Sequence, residues 1–262
     1  EDVVNLNKFV IDFVTNEKTK NQHHAQRIPI LPENVRLEDV EEHMNGLKSV
    51  PIGIIKSNLD VLSIDMKQTI GHLVISNKLA NTKKYVRSLI SLLKSKGIST
   101  ILIDSINELS EEKENVINYF NTSFDKVITT LIEFIDNCIN QKQNSNNVVI
   151  CIYGVDKLIN KITDVKKLEE LIKLIKKYEN IPLIMVEDGS KLKQYAFDNW
   201  YKELFSSPEG IWLGTGAGDQ TLLKISGYNK EHSAEYPNNM GFYIADGTAK
   251  LCKFIDFIST DG

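Results

Sequence analysis

GHLVISNKLANTKKYVRSLI, running from Gly71 to Ile90, is the stretch whose reading decides the fold. Leu73-Val74-Ile75 is an apolar run suited to a strand, and a short polar loop follows it. From Lys83 onward, Val86, Leu89, Ile90 and Leu93 recur on one helical face. Strand, phosphate-sized loop, helix is the layout of a P-loop, whose pattern is Gly, four residues, then Gly-Lys-Ser/Thr. The corresponding positions read Asn77, Lys78-Leu79-Ala80-Asn81, then Thr82-Lys83-Lys84. Only the lysine remains. Taken alone, the stretch also reads as an ordinary turn between strand and helix.

The replaced residues define what chemistry is lost. Glycines in such a loop permit positive φ, so that successive N–H groups close around phosphate oxygens. Asn77 tolerates that conformation moderately well, but β-branched Thr82 resists it. The hydroxyl that would reach Mg²⁺ is replaced by the cation of Lys84. Competent Mg–ATP hydrolysis is therefore not expected here. What remains is a weak anion or nucleotide site at Lys83 and Lys84, beside a helix N-terminus.

With 262 residues, 42% hydrophobic and 25% charged, the chain fits one large α/β domain or two small ones. Thirty-one basic against 35 acidic side chains give a net charge of −4, so no overall basic field attracts nucleic acid. Cys138, Cys151 and Cys252 are dispersed and odd in number, which reads as buried thiols in a reducing compartment. No apolar run approaches a membrane span. The chain opens at Glu1 without methionine, which suggests a piece of something longer.

Around the decisive stretch the rest falls into order. Val3, Leu6, Phe9, Val10, Phe13 and Val14 predict an N-terminal helix, with polar residues 18–26 after it. Ile28 to Pro32 should be extended, because each proline biases its predecessor away from helix. Leu37 to Leu47 predicts a short helix ending near Gly46. Residues 50–55 and 61–65 read as two strands around Ser57-Asn58.

Ile101 to Asp104 is a second strand ending in an acid, as a Walker B strand does. It follows the P-loop helix directly, however, whereas RecA-like folds take that carboxylate from a later strand. Residues 108–123 are acidic and polar. Phe124 to Cys138 predicts a helix with Val127, Ile128, Leu131 and Ile135 inward. Val148 to Ile152 is a buried strand where Walker B is expected, yet Tyr153 holds the carboxylate position and the nearest acid is Asp156. A phenol cannot hold hydrated Mg²⁺ as a carboxylate does. Asp156 reads as a cap or turn residue. Both halves of the hydrolytic machinery are degenerate, and their coincidence says more than either alone.

Further on, residues 165–178 predict a helix, 181–188 a strand and 191–205 a helix bearing Tyr195, Phe197, Trp200 and Tyr201. Those aromatics read as core, with a peptide-binding surface as the alternative for Tyr195, Trp200 and Tyr201. Residues 210–214 are a strand followed by a Gly216-Ala217-Gly218 loop, a weak phosphate-binding signal. Residues 241–258 read as a hairpin turning at Asp246-Gly247. The five histidines, His23, His24, His43, His72 and His232, show no zinc spacing, so no metal is expected.

Together, Ile28-Pro29-Ile30-Leu31-Pro32, Ile52-Gly53, Leu62 to Asp65, Gly71 to Ile75, Ile101 to Asp104 and Gly241-Phe242-Tyr243 resemble the FtsK/SpoIIIE-type ATPase modules. The likeness is strongest to the last module of the membrane-bound coupling protein of type VII (ESX-like) secretion systems. It implies an α/β, RecA-like P-loop NTPase fold, a mostly parallel sheet flanked by helices, with an N-terminal helix and a terminal β-hairpin. Residues 1–49 would form a helix and linker packing on a core of residues 50–262. It further implies a cytoplasmic domain of a cell-membrane protein. Its partners would be secreted type VII substrates, neighbouring ATPase modules of the same chain and other secretion-complex components.

Departures at Asn77, Thr82, Lys84 and Tyr153 make a pseudo-ATPase that recognises or gates substrates the leading expectation, with no cofactor required and ATP/Mg binding weak. Two rivals stand beside it. One is an active, atypical motor using Lys83 with Asp104 or Asp156; the other is a DNA translocase.

Overall fold

Apolar runs without polar alternation must be buried on both faces, and four such runs build the centre of one sheet. The computed structural model describes residues 8–12, 15, 30–68, 71–120, 124–141, 147–177, 181–206, 208–227 and 229–256, with the side chains of 124, 138–141 and 165 excepted. The chain divides into two compact units, Glu1–Ile30 and Leu31–Gly262. In the first, residues 8–12 are helical and exposed. Most of the expected N-terminal helix, residues 28–29, His23, His24 and the Cys138 side chain lie outside the described residues.

In the second unit the strands are β1 (Val50–Ile55), β2 (Val61–Ile64), β3 (Gly71–Ser76), β4 (Ser99–Asp104), β5 (Asn118–Phe120), β6 (Val148–Tyr153), β7 (Leu183–Asp188), β8 (Glu209–Leu213), β9 (Met240–Ala245) and β10 (Thr248–Phe254). The α-helices are α1 (Lys83–Ser95), α2 (Phe124–Gln141), α3 (Val155–Ile159), α4 (Val165–Lys177), α5 (Gly189–Leu192) and α6 (Asn199–Leu204). Among the described residues the strands form one sheet in the order β2-β1-β10-β9-β8-β3-β7-β6-β4-β5. From β8 to β5 neighbouring strands are parallel, and the β1, β2, β9 and β10 pairings are antiparallel. This is the α/β fold expected, with the terminal hairpin (β9 and β10) in place.

Alternation along each strand sends side chains to two cores. Leu73, Ile75, Ile101 and Ile150 meet α2, α4 and α6 on one face. Val74, Leu102, Val149 and Tyr153 meet α1 on the other, together with Val35, Val40 and Leu47. Cys151 and Cys252 are free and buried, and burial pushes both thiols up to about 12, which keeps them unreactive.

Three segments depart from the sequence reading. Residues 37–47 form no α-helix but two short 3₁₀ turns, Glu41–His43 and Gly46–Lys48. Met44 is extended (ψ 126°) and Gly46 takes φ +54°, so the helical path cannot continue between buried Val40 and Leu47. The acidic stretch contributes a 3₁₀ turn, Ser110–Asn115, and the edge strand β5. The helix expected over 191–205 is interrupted at extended Asp198 (ψ 146°). That break turns Tyr195, Trp200 and Tyr201 into the core and leaves Phe197 82% exposed.

Candidate functional site

The site is built where β3 hands the chain to α1. Ser76 ends the strand, Asn77 and Lys78 follow, and Leu79–Thr82 make a single 3₁₀ turn that runs into α1. Positive φ does not occur between Asn77 and Thr82. Without it the amides do not form the concave nest that a phosphate needs. They are spent inside the loop instead: Asn81 N–H donates to Lys78 O at 2.9 Å and Lys83 N–H to Ala80 O. The Asn81 side-chain amide fills the mouth, donating to Asn77 Oδ1 at 2.9 Å and Ser76 Oγ at 3.2 Å. Thr82 Oγ1 donates to Leu79 O at 2.7 Å.

Tyr153 closes the loop from the second strand over. Its side chain is fully buried and its hydroxyl donates to Leu79 O at 3.2 Å. Burial pushes the phenol above its ordinary range, so it stays a donor. The position expected to hold the Walker B acid thus carries a neutral group bonded to the loop itself.

The two lysines point elsewhere. Lys83 Nζ lies 3.4 Å from Glu111 Oε1, and Arg87 joins the same carboxylate at 2.8 Å. Lys84 Nζ is 4.0 Å from Asp256 Oδ1. Asp104 ends β4, three strand spacings from β3, roughly 14 Å away. Its Oδ2 accepts from Leu109 N–H and Tyr119 Oη, both at 2.7 Å. Asp156 stands in the first turn of α3, where the cap position is Gly154 and no side chain caps. Its Oδ1 accepts from Asn160 Nδ2, Gln194 Nε2 and Tyr195 Oη, so it joins α3 to the segment after β7. The structure brings neither acid to Lys83.

Sequence reading placed Glu187 in the strand over 181–188 and gave it no role. It is 1% exposed beside β3, in register with Ile75, and accepts from Asp156 N–H and Asp188 N–H at 2.7 Å each. Burial raises its carboxyl above the ordinary 4.5, opposed in part by those two donors. Folded Glu187 therefore keeps its proton at a pH where the unfolded chain has lost it. Stability should fall as pH rises through the interval above 4.5, up to the raised folded value. Urea denaturation across that interval checks this, and Glu187→Gln should abolish the slope.

A crevice of about 460 Å³ opens at the carboxyl ends of β3, β7 and β8, between Asn77, Lys193, Trp212, Gly216, Asp219 and Leu222. This is where open α/β sheets bind ligands. Trp212 forms its floor, held by Nε1 donating to Thr215 O at 3.1 Å. A Cβ on Gly189 would come within 2.8 Å of the Trp212 ring, so glycine is required there. Tyr195, Trp200 and Tyr201 do not line it; they are buried against one another.

The chain is similar to EssC (ATPases 2 and 3) from Geobacillus thermodenitrificans, with a TM-score of 0.74 and 15% identity over 91% of this chain and 48% of that one. It is similar to the cytoplasmic domain of EssC (TM-score 0.67, 15% identity, 98% of this chain and 54% of that one). It is also similar to Thermomonospora curvata EccC (ATPases 2 and 3) in complex with a signal sequence peptide (0.69, 14% identity, 90% and 46%). The fold is that of a P-loop ATPase module. The chain spans about half the length of these structures. No protein-family model and no curated protein sequence matches it.

Proposed function

We propose that this chain is a pseudo-ATPase module of a type VII secretion coupling protein, cytoplasmic and joined to a membrane-bound parent. It recognises or gates secreted substrates and docks on neighbouring ATPase modules and other components of the complex, while motor work is done elsewhere. One observation carries this reading: the loop after β3 is shut by its own side chains and by Tyr153, with no positive φ and a neutral phenol in the place of the expected acid. The likeness to EssC and EccC modules, one of them holding a signal sequence peptide, supports the secretion context. The crevice over Trp212 is the place for an apolar side chain of such a peptide.

Calorimetric titration of the purified chain with Mg–ATP tests this. We expect no measurable binding at about 1 mM nucleotide, an affinity weaker than about −4 kcal/mol. Tight, Mg-dependent binding would mean that the loop opens into a phosphate cradle, and the active-motor reading would replace this one.

A further inference from the structure

A second cleft, of about 310 Å³, lies beside the closed loop and is unlike the crevice over Trp212. Four separate chain segments converge on it, bringing Asn34, Asn81, Lys84, Asn238, Asn239 and Asp256 to its wall. Asp256 is 5% exposed. Its Oδ2 accepts from Asn239 Nδ2 at 3.2 Å, but its Oδ1 has no hydrogen-bond partner among the described residues. The nearest cation, Lys84 Nζ, stands 4.0 Å from that oxygen, beyond hydrogen-bond reach, on a side chain that is 71% exposed.

A buried carboxylate oxygen without a donor is costly, and a long, solvated lysine offsets it only weakly. The four asparagines add acceptor oxygens around it, while the amide groups of Asn81 and Asn239 are held by Ser76 and Asn77 and by Asp256 and Asn34. What completes such a wall is a planar cation with several N–H donors, that is, a guanidinium. An anion is disfavoured by Asp256, and an apolar group would leave the carboxylate unsatisfied.

We infer that this cleft is a docking site for an arginine side chain presented by a partner protein, with Asp256 as its counter-ion and the asparagines as its frame. Lys84 is the resident competitor that a guanidinium displaces. The cleft shares Asn81 and Lys84 with the loop, so the arginine probe is read without nucleotide and its outcome is scored apart from the Mg–ATP titration.

The probe is N-acetyl-arginine amide, titrated into ¹⁵N-labelled protein and followed at the side-chain amides of Asn34, Asn81, Asn238 and Asn239. Saturable shifts at these four are expected, and the uncharged N-acetyl-glutamine amide should give none. Asp256→Asn should weaken the probe at least about tenfold, as loss of a charge-assisted hydrogen bond does. Lys84→Gln should tighten it, since the competing cation is gone. Lys84 is exposed, so this variant stays informative even if Asp256→Asn does not fold. Absence of shifts at the asparagines would overturn the inference, as would weaker binding in Lys84→Gln. Shifts there with Mg–ATP but not with the arginine probe would overturn it too.

Discussion

Tyr153→Ala is expected to lower the free energy of unfolding by about 3–5 kcal/mol, and Tyr153→Phe by only about 0.5–1.5 kcal/mol. The first figure follows from removing a fully buried ring on the α1 face of β6, where it packs with Leu102, Val149 and Val186 in one core. The second is the hydroxyl alone. Its acceptor, Leu79 O, still receives Thr82 Oγ1 at 2.7 Å, so no orphaned carbonyl is created. Urea denaturation of both variants separates packing from the latch. Hydrogen exchange then asks whether the phenol holds the loop: Asn81 and Lys83 N–H should exchange faster in Tyr153→Phe. Unchanged exchange at both would show that the 3₁₀ turn closes by itself and that Tyr153 is only core.

That distinction bears on what would have to move for the loop to open. Loss of the glycines removes the cradle, but an acid at position 153 could still hold solvent or a cation beneath the loop. A neutral phenol bonded to Leu79 O fills that space with protein. The lysine that survives is then balanced by Glu111, on the acidic turn that packs against α1. Asn77, Asn81, Thr82 and Lys83 thus have partners within the chain. Nucleotide binding would first have to break those contacts.

Much of this was legible in the sequence, for identifiable reasons. β3, β6 and β7 are six-residue strands whose unbroken apolar runs have a single good solution, burial in a parallel sheet. The P-loop pattern prescribes residue types, so its defects at Asn77, Thr82, Lys84 and Tyr153 were visible without coordinates. β5 was not visible, because Asn118-Tyr119-Phe120 is too short for alternation and borrows its stability from pairing with β4. The break at Asp198 was missed because helical periodicity continues across it. Glu187 and the Asp256 cleft were also invisible. Their character comes from burial and from neighbours far away in the chain, such as Asn34 beside Asn239 at 3.5 Å.

Gly241→Ala is the substitution expected to cost the fold most for the fewest atoms, about 3 kcal/mol or more. Gly241 lies opposite Leu213 where β9 pairs with β8. A Cβ there would stand 1.9 Å from Trp212 O, 2.9 Å from Trp212 C and 3.0 Å from Leu213 Cα. All three are backbone atoms, so no side-chain rotation relieves the clash. β9 cannot simply step aside either, since β10 holds its other edge through six register pairs. The strand must separate from β8 or from β10, and ladder hydrogen bonds are lost in both cases. Separation from β8 also displaces Trp212, the floor of the crevice, so weaker binding of the proposed peptide should accompany the lost stability. Thermal or urea unfolding measures the first effect directly. A variant as stable as the parent would mean that β8 and β9 do not meet in this register, and the placement of Trp212 under the crevice would fail with it.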